Sequence, residues 1–142
     1  MNIQIIETEQ QLQDAFSVRR VVFVDEQQVD VAEEYDEFDK LHAAVHVILY
    51  DEGTPVGTGR MRNVDGVGKM ERICILSSHR GKGAGRLIME ALEAVAKKQG
   101  LQKAKLHGQT HAEVFYQKLG YETVSNVFLE ANIPHVIMTK SL

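Results

Sequence analysis

The chain has 142 residues, 44% of them hydrophobic and 25% charged, which is the balance of one folded domain spanning residues 1–142 and excludes disordered, collagen-like and disulfide-scaffold classes. Twenty acidic residues against sixteen basic leave a net charge of −4, a field that repels polyphosphate and sets nucleic acid aside as a partner. The single cysteine, Cys74, permits neither an internal disulfide nor a thiolate metal cage, and no apolar run approaches the roughly 18 residues of a membrane span, so an unprocessed cytoplasmic protein with no membrane partner is expected.

Ile3 to Ile6 reads as a short strand. Thr8-Glu9-Gln10-Gln11 then carries a capping-box pattern, and Leu12, Ala15, Phe16, Arg19, Val22 and Phe23 recur at three- and four-residue spacing, predicting a helix with one apolar stripe. Arg19 and Arg20 read as helix-surface charges with packed stems. Residues 25–40 are acid-rich and aperiodic. Glu33 to Asp39 reads as a solvated loop, the sharper alternative being that it borders an acceptor entrance and draws in cations.

His42 to Tyr50 and Val56 to Met61 form a predicted hairpin across the Asp51-Glu52-Gly53-Thr54 turn. On that strand His42 and His46 would stand about 13 Å apart, too far to share one ion, and no metal site is expected. Lys69 to Leu76 reads as a third antiparallel strand, with Glu71, Ile73 and Ile75 on one face and Met70, Arg72, Cys74 and Leu76 on the other. The period then changes: Leu87, Ile88, Ala91, Leu92 and Val95 lie on one helical face, Lys97 and Lys98 fall in the last turn, and Gly100 sits where a left-handed terminator belongs. Lys103 to Gly108 reads as a strand, Thr110 to Leu119 as a helix stopped by Gly120, and Tyr121 to Leu129 and His135 to Thr139 as two closing strands. The order is of the mixed α/β class.

Arg80-Gly81-Lys82-Gly83-Ala84-Gly85 sits between a strand and the best-defined helix. A glycine-rich turn opening a helix offers free backbone N–H groups at the positive end of the macrodipole, which is an anion site. It is neither a Walker loop nor a dinucleotide fingerprint, which would need glycine where Arg86 stands. Alone it fits a plain tight turn as well as a phosphate cradle.

The context is more specific. The hydrophobic Ile73-Cys74-Ile75 precedes the turn, and Ala112-Glu-Val-Phe115-Tyr116-Gln-Lys118-Leu119-Gly120-Tyr121 follows about thirty residues later; together they resemble the GNAT superfamily of N-acetyltransferases. Arg19-Arg20-Val-Val-Phe23-Val-Asp-Glu26-Gln27, Asp36-x-x-Asp39 and Glu130-Ala-Asn-Ile133-Pro134-His135-x-x-Met138 bring it nearer the small bacterial YjcF and ElaA-type members. The resemblance implies a mostly antiparallel mixed sheet flanked by helices, with fourth and fifth strands splayed around acetyl-coenzyme A. The pyrophosphate would lie on the amides of Arg80, Gly81, Lys82, Gly83, Ala84 and Gly85, and the amide arm against Ile73, Cys74 and Ile75, with Gln109, Phe115 and Lys118 also at the cofactor. The acceptor would be a small amine, and C-terminal edge strands would allow a homodimer. Two positions depart from the pattern: Gln109 stands where asparagine is common, and Ala131-Asn132 replaces an Asp-Gly turn. A non-catalytic acyl-coenzyme A sensor and a transferase for longer acyl chains share the same motifs.

Acyl transfer to an amine sets chemical demands. An alkylammonium of pKa about 10.4 is neutral in about one molecule in a few thousand at pH 7, so a base is needed, and the departing thiolate needs a proton. Tyr116 takes the second role by its place in the motif. Glu71, on the face of Ile73 and Ile75, is one candidate base, its plainer reading being a salt bridge; His135, beside Pro134, is the other, its plainer reading being a satisfied strand histidine. Cys74, alternating to the opposite face, reads as a buried small hydrophobe, so direct transfer without an acyl-enzyme is expected.

Overall fold

In the computed structural model, which describes residues 1–142, β1 (Asn2–Ile5) leads into α1 (Glu9–Arg19), which continues as a π-helical stretch, Arg20–Glu26. The capping box forms: Gln11 N–H donates to the Thr8 hydroxyl at 3.2 Å, and the Gln11 side-chain oxygen accepts from Thr8 N–H at 3.1 Å. A short α2 (Val31–Glu34) interrupts the acidic segment. Then come β2 (Val45–Asp51), β3 (Thr54–Val64), β4 (Val67–Ile75), α3 (Ala84–Lys98), β5 (Lys103–Gln109), α4 (Glu113–Lys118), β6 (Glu122–Thr123), β7 (Phe128–Glu130) and β8 (Ile133–Ser141). No helix is long and apolar enough to cross a membrane.

The sheet runs β1-β2-β3-β4-β5-β8-β6, with β7 also on β8, and every pairing is antiparallel except β4 with β5. Helices cover both faces. On one, α3 presents Ile88, Met89, Leu92 and Ala96 to Val47, Leu49, Met61, Met70 and Leu106. On the other, Leu12 and Ala15 of α1 pack on Ile48, and Val18, Val22 and Phe23 pack on Cys74. That two-sided burial is why β2 reads as a continuous apolar run.

Four local expectations are corrected. His42 lies in the turn before β2, whose first residue is Val45, and the buried His46 places Nε2 3.1 Å from the Lys40 carbonyl. The helix expected from Thr110 opens as a 3₁₀ turn, Thr110–Ala112, before α4. Tyr121 to Leu129 is two strands rather than one, because β6 and β7 pair with different stretches of β8. The alternation along β4 is broken by a bulge: Thr58 pairs with Cys74 but Arg60 with Glu71, so Arg72 and Ile73 together oppose Gly59, and Arg72 takes φ 56°. One extra residue shifts the face of everything before it. Glu71 therefore lies with Cys74 on the α1 side, opposite Ile73 and Ile75, which pack toward α3.

Candidate active site

The β4–β5 ladder is three residues long, Gly68–Met70 against Ala104–Leu106. Past Met70 and Leu106 the strands run on to Ile75 and Gln109 without pairing to each other. Ile75 and Cys74 still pair with Gly57 and Thr58 of β3, so one edge of this part of β4 is satisfied and the other faces an open splay. An unpaired edge is a template for an extended ligand carrying amides.

At the end of that edge the chain enters the glycine turn. Gly81 and Gly83 take φ 76° and 83°, and a Cβ built on either would meet nothing within 4 Å. These are left-handed positions that L side chains resist, opening onto free space. Gly83 is the N-cap of α3 and supplies no side chain to bond the first amides, which stay available to an anion at the positive end of a four-turn helix. Gly85 is glycine for another reason: its Cβ would lie 2.7 Å from Phe115 Cζ and 3.3 Å from Ile75 Cδ1, so its absence lets α3, α4 and β4 converge. Arg80 turns its side chain across the mouth, Nε donating to the Ile75 carbonyl at 3.0 Å and Nη2 to both Glu26 oxygens at 2.8 and 2.6 Å, which lowers the Glu26 pKa.

Four elements meet here. Phe115 touches Gly85, stands edge-on to Tyr116 at 5.0 Å, and Tyr116 packs against Gly108 of β5. Tyr116 is 8% exposed, and burial pushes its pKa up, so the phenol stays protonated at neutral pH. Its hydroxyl bonds to no protein group, yet no fully buried side-chain polar atom lacks a partner, so the hydroxyl keeps some contact with solvent. Cys74 is 5% exposed among Val18, Val22 and Phe23, with its thiol pKa raised by burial, as suits packing and not nucleophilic attack. Gln109 exchanges two amide hydrogen bonds with Gln27, at 2.9 and 3.3 Å, tying the end of β5 to the end of the π-helical stretch. Lys118 stands exposed in the last turn of α4.

Glu71 is committed elsewhere. Arg60 Nε and Arg62 Nε donate to its Oε1 at 3.1 and 2.7 Å, and Lys69 Nζ lies 3.4 Å from Oε2. Although burial opposes ionisation, these cations hold its pKa at about 2. The carboxylate belongs to a larger buried network that also overturns the surface reading of Arg19 and the solvated reading of the acidic loop. Arg19, 2% exposed, donates to Glu34 at 2.7 Å and to Asp39 at 2.6 Å; Arg60, 1% exposed, donates to Asp36 at 2.7 Å and Asp39 at 2.9 Å. Asp36 and Asp39 thus anchor the loop to the sheet and are not free to attract a cation. Arg20 is exposed as expected.

This network sets an acid limit. Burial raises Asp39, but Arg19 and Arg60 bring it to about 2 from 3.8, and Glu71 stands at about 2 against 4.5. Folded pKa values below the unfolded ones contribute stability that is complete above about pH 5 and lost as the pH falls towards 2. Glu34, raised by burial, works in the opposite sense. The urea midpoint is expected to fall steeply between about pH 5 and pH 2, and Asp39→Asn is expected to flatten that slope; a wild-type midpoint independent of pH there contradicts the network.

On the α1 side of the splay lies a second group that the sequence reading only partly found. Gln109 pairs with His135 across β5 and β8, and on the same face His107 Nδ1 lies 2.9 Å from Glu130 Oε1 of β7. His135 is 6% exposed, its Nδ1 2.6 Å from the Ile133 carbonyl and its Nε2 3.7 Å from Glu130 Oε2. The i, i+2 spacing of His107 and Gln109 along β5 is the signal in the sequence that places both on this face. Ala131 and Asn132, between β7 and β8, both take positive φ, 49° and 61°, the backbone that an Asp-Gly turn adopts more easily.

The acetyltransferase (GNAT) domain family matches residues 8–142. An uncharacterised N-acetyltransferase of Bacillus subtilis strain 168, YjcF, is 48% identical over 99% of this chain and 99% of its own, and the uncharacterised YyaT of the same strain is 51% identical over 100% and 97%. Among solved structures, an acyl-CoA N-acyltransferase from Pseudomonas aeruginosa superposes with TM-score 0.86 at 26% identity, covering 98% of both chains.

Proposed function

The chain belongs to the GNAT acetyltransferase family, and on that premise we propose that it moves an acetyl group from acetyl-coenzyme A directly to a primary amine. The observation that carries the reading is the splay, whose Ile73–Ile75 edge, unpaired with β5, leads through the 3₁₀ turn Ser77–His79 to the open, positive-φ glycine turn at the head of α3. A pantetheine arm fits the first and a pyrophosphate the second. When bound, coenzyme A supplies the thioester and its thiolate leaving group. The amides of Gly81 to Gly85 hold the anion, the backbone N–H groups beside the β4 bulge receive negative charge building on the acyl oxygen, and Ile73 and Phe115 line the apolar side.

Tyr116 donates the proton that the thiolate needs. Its hydroxyl bonds to no protein group, and burial, which raises its pKa, keeps the phenol protonated at neutral pH. Thiol release from acetyl-coenzyme A tests both claims. Release is expected to depend on added primary amine, and Tyr116→Phe is expected to lower kcat by about a hundredfold with coenzyme affinity unchanged. Amine-independent hydrolysis, or a Tyr116→Phe variant with wild-type kcat, contradicts the assignment. The negative net charge favours a small amine over a polyanionic acceptor.

A further inference from the structure

We propose that His107 is the base that removes the proton from the attacking amine, with Glu130 as its positioning residue, an inference that rests on the acetyl-transfer reading above. Leu106 is the last residue of β5 paired with β4, so His107 is the first to stand at the mouth of the splay, where the acyl group would end. It faces the α1 side, opposite the α3 core that Ala104 and Leu106 of the same strand join.

The tautomer follows from the partner. Nδ1 lies 2.9 Å from a carboxylate oxygen of Glu130, so Nδ1 carries the hydrogen and donates, leaving the Nε2 lone pair free. Phe128 stands edge-on to His107 at 5.4 Å and stacks on His135 at 6.1 Å, which fixes the ring plane. The His107 side chain is 23% exposed, against 8% for His135, whose Nδ1 is spent on a carbonyl and whose Nε2 points at Glu130. Glu71 is saturated by Arg60, Arg62 and Lys69. Of Glu71, His135 and His107, only His107 combines access, an oriented ring and a free acceptor nitrogen. His111, whose Nε2 meets Gln109 Oε1, lies in the 3₁₀ turn past the end of β5, away from the mouth of the splay. The charged groups facing it are Glu130 from β7, His135 from β8, Lys105 two residues earlier on its own strand, and Lys69 and Glu71 from β4; Gln27 of the π-helical stretch is neutral.

The step balances. The acceptor arrives as an ammonium, and His107 Nε2 takes one proton and passes it to solvent. The nitrogen lone pair forms the N–C bond while the C–S bond breaks; the sulfur takes the Tyr116 proton, which the second proton lost by nitrogen replaces.

The test is His107→Asn, whose amide keeps a donor toward Glu130, assayed for thiol release from acetyl-coenzyme A with spermidine, tyramine and L-lysine methyl ester across about pH 6 to 10, with coenzyme A affinity measured by calorimetry. Coenzyme affinity within about threefold of wild type is expected, with release reduced at least about a hundredfold at pH 7. The deficit is expected to shrink to about tenfold near pH 9.5, where solution supplies free amine, a narrowing that a merely structural role does not produce. Glu130→Gln is expected to lower kcat and leave the acetyl-coenzyme A KM unchanged. Wild-type release by His107→Asn at pH 7, or a deficit constant across pH, overturns the proposal while the transfer reading stands. Coenzyme binding by wild type with no release from any of the three amines overturns both.

Discussion

Gly83→Val is expected to weaken coenzyme A binding by at least about a hundredfold while leaving the protein folded. Gly83 holds φ 83°, where an L residue costs about 1–2 kcal/mol and a β-branched one more. The chain can relieve the strain only by rotating the peptides on either side, which turns the Lys82, Gly83 and Ala84 N–H groups away from the anion. Hydrogen bonds to a charged group contribute about 1.5–3 kcal/mol each, so losing two removes at least about 3 kcal/mol, or about a hundredfold. The fold is spared because nothing lies within 4 Å of the new Cβ. Calorimetry with coenzyme A and a thermal melt measure the two halves of the claim; wild-type affinity in the variant contradicts it. Gly85→Ala is the contrasting control, since its methyl would strike Phe115 and tax packing as well as binding.

Arg60→Ala is expected to destabilise the fold by about 3–5 kcal/mol, the usual cost of removing one partner from a buried ion pair. Arg60 is 1% exposed and bridges Asp36 and Asp39 in the acidic loop to Glu71 on β4. Without it three carboxylates share fewer cations in a poorly solvated place, and the loop loses its tie to β3. Against a total of about 5–15 kcal/mol for a domain of this size, that is a large fraction. Urea denaturation reads it directly, and a loss under about 1 kcal/mol contradicts the view that these pairs anchor the loop. Arg20→Ala, at an exposed position where α1 runs into the π-helical stretch, is expected to change the midpoint little.

Periodicity and turn chemistry revealed most of this architecture. The Thr8 to Gln11 cap, the α3 stripe ending at Gly100 and the hairpin at Asp51 to Thr54 are local patterns with local causes, and they form as expected. What the sequence hid depends on partners distant in the chain. Arg19 looks like any helix-surface arginine until Glu34 and Asp39, 15 and 20 residues on, close over it. The bulge at Arg72 leaves no mark in composition, yet it decides that Glu71 faces away from Ile73 and Ile75, among Arg60, Arg62 and Lys69, whose ion pairs are what take it out as a base. The glycine turn, Tyr116 and Phe115 were legible because backbone amides and a motif at fixed spacing carry the proposed coenzyme side. The proposed acceptor side, drawn from His107, Glu130 and His135 on three strands, needed the β5–β8 register.

The central claim is that one continuous run of backbone, from the free edge of β4 through the glycine turn into α3, holds the coenzyme. Titrating ¹⁵N-labelled protein with coenzyme A while following the amide resonances tests it most directly. Saturable shifts concentrated at Ile73 to Ile75 and Gly81 to Arg86, with β1 and β2 unmoved, are the predicted result; binding that leaves those amides unperturbed, or no binding by the folded protein, contradicts it.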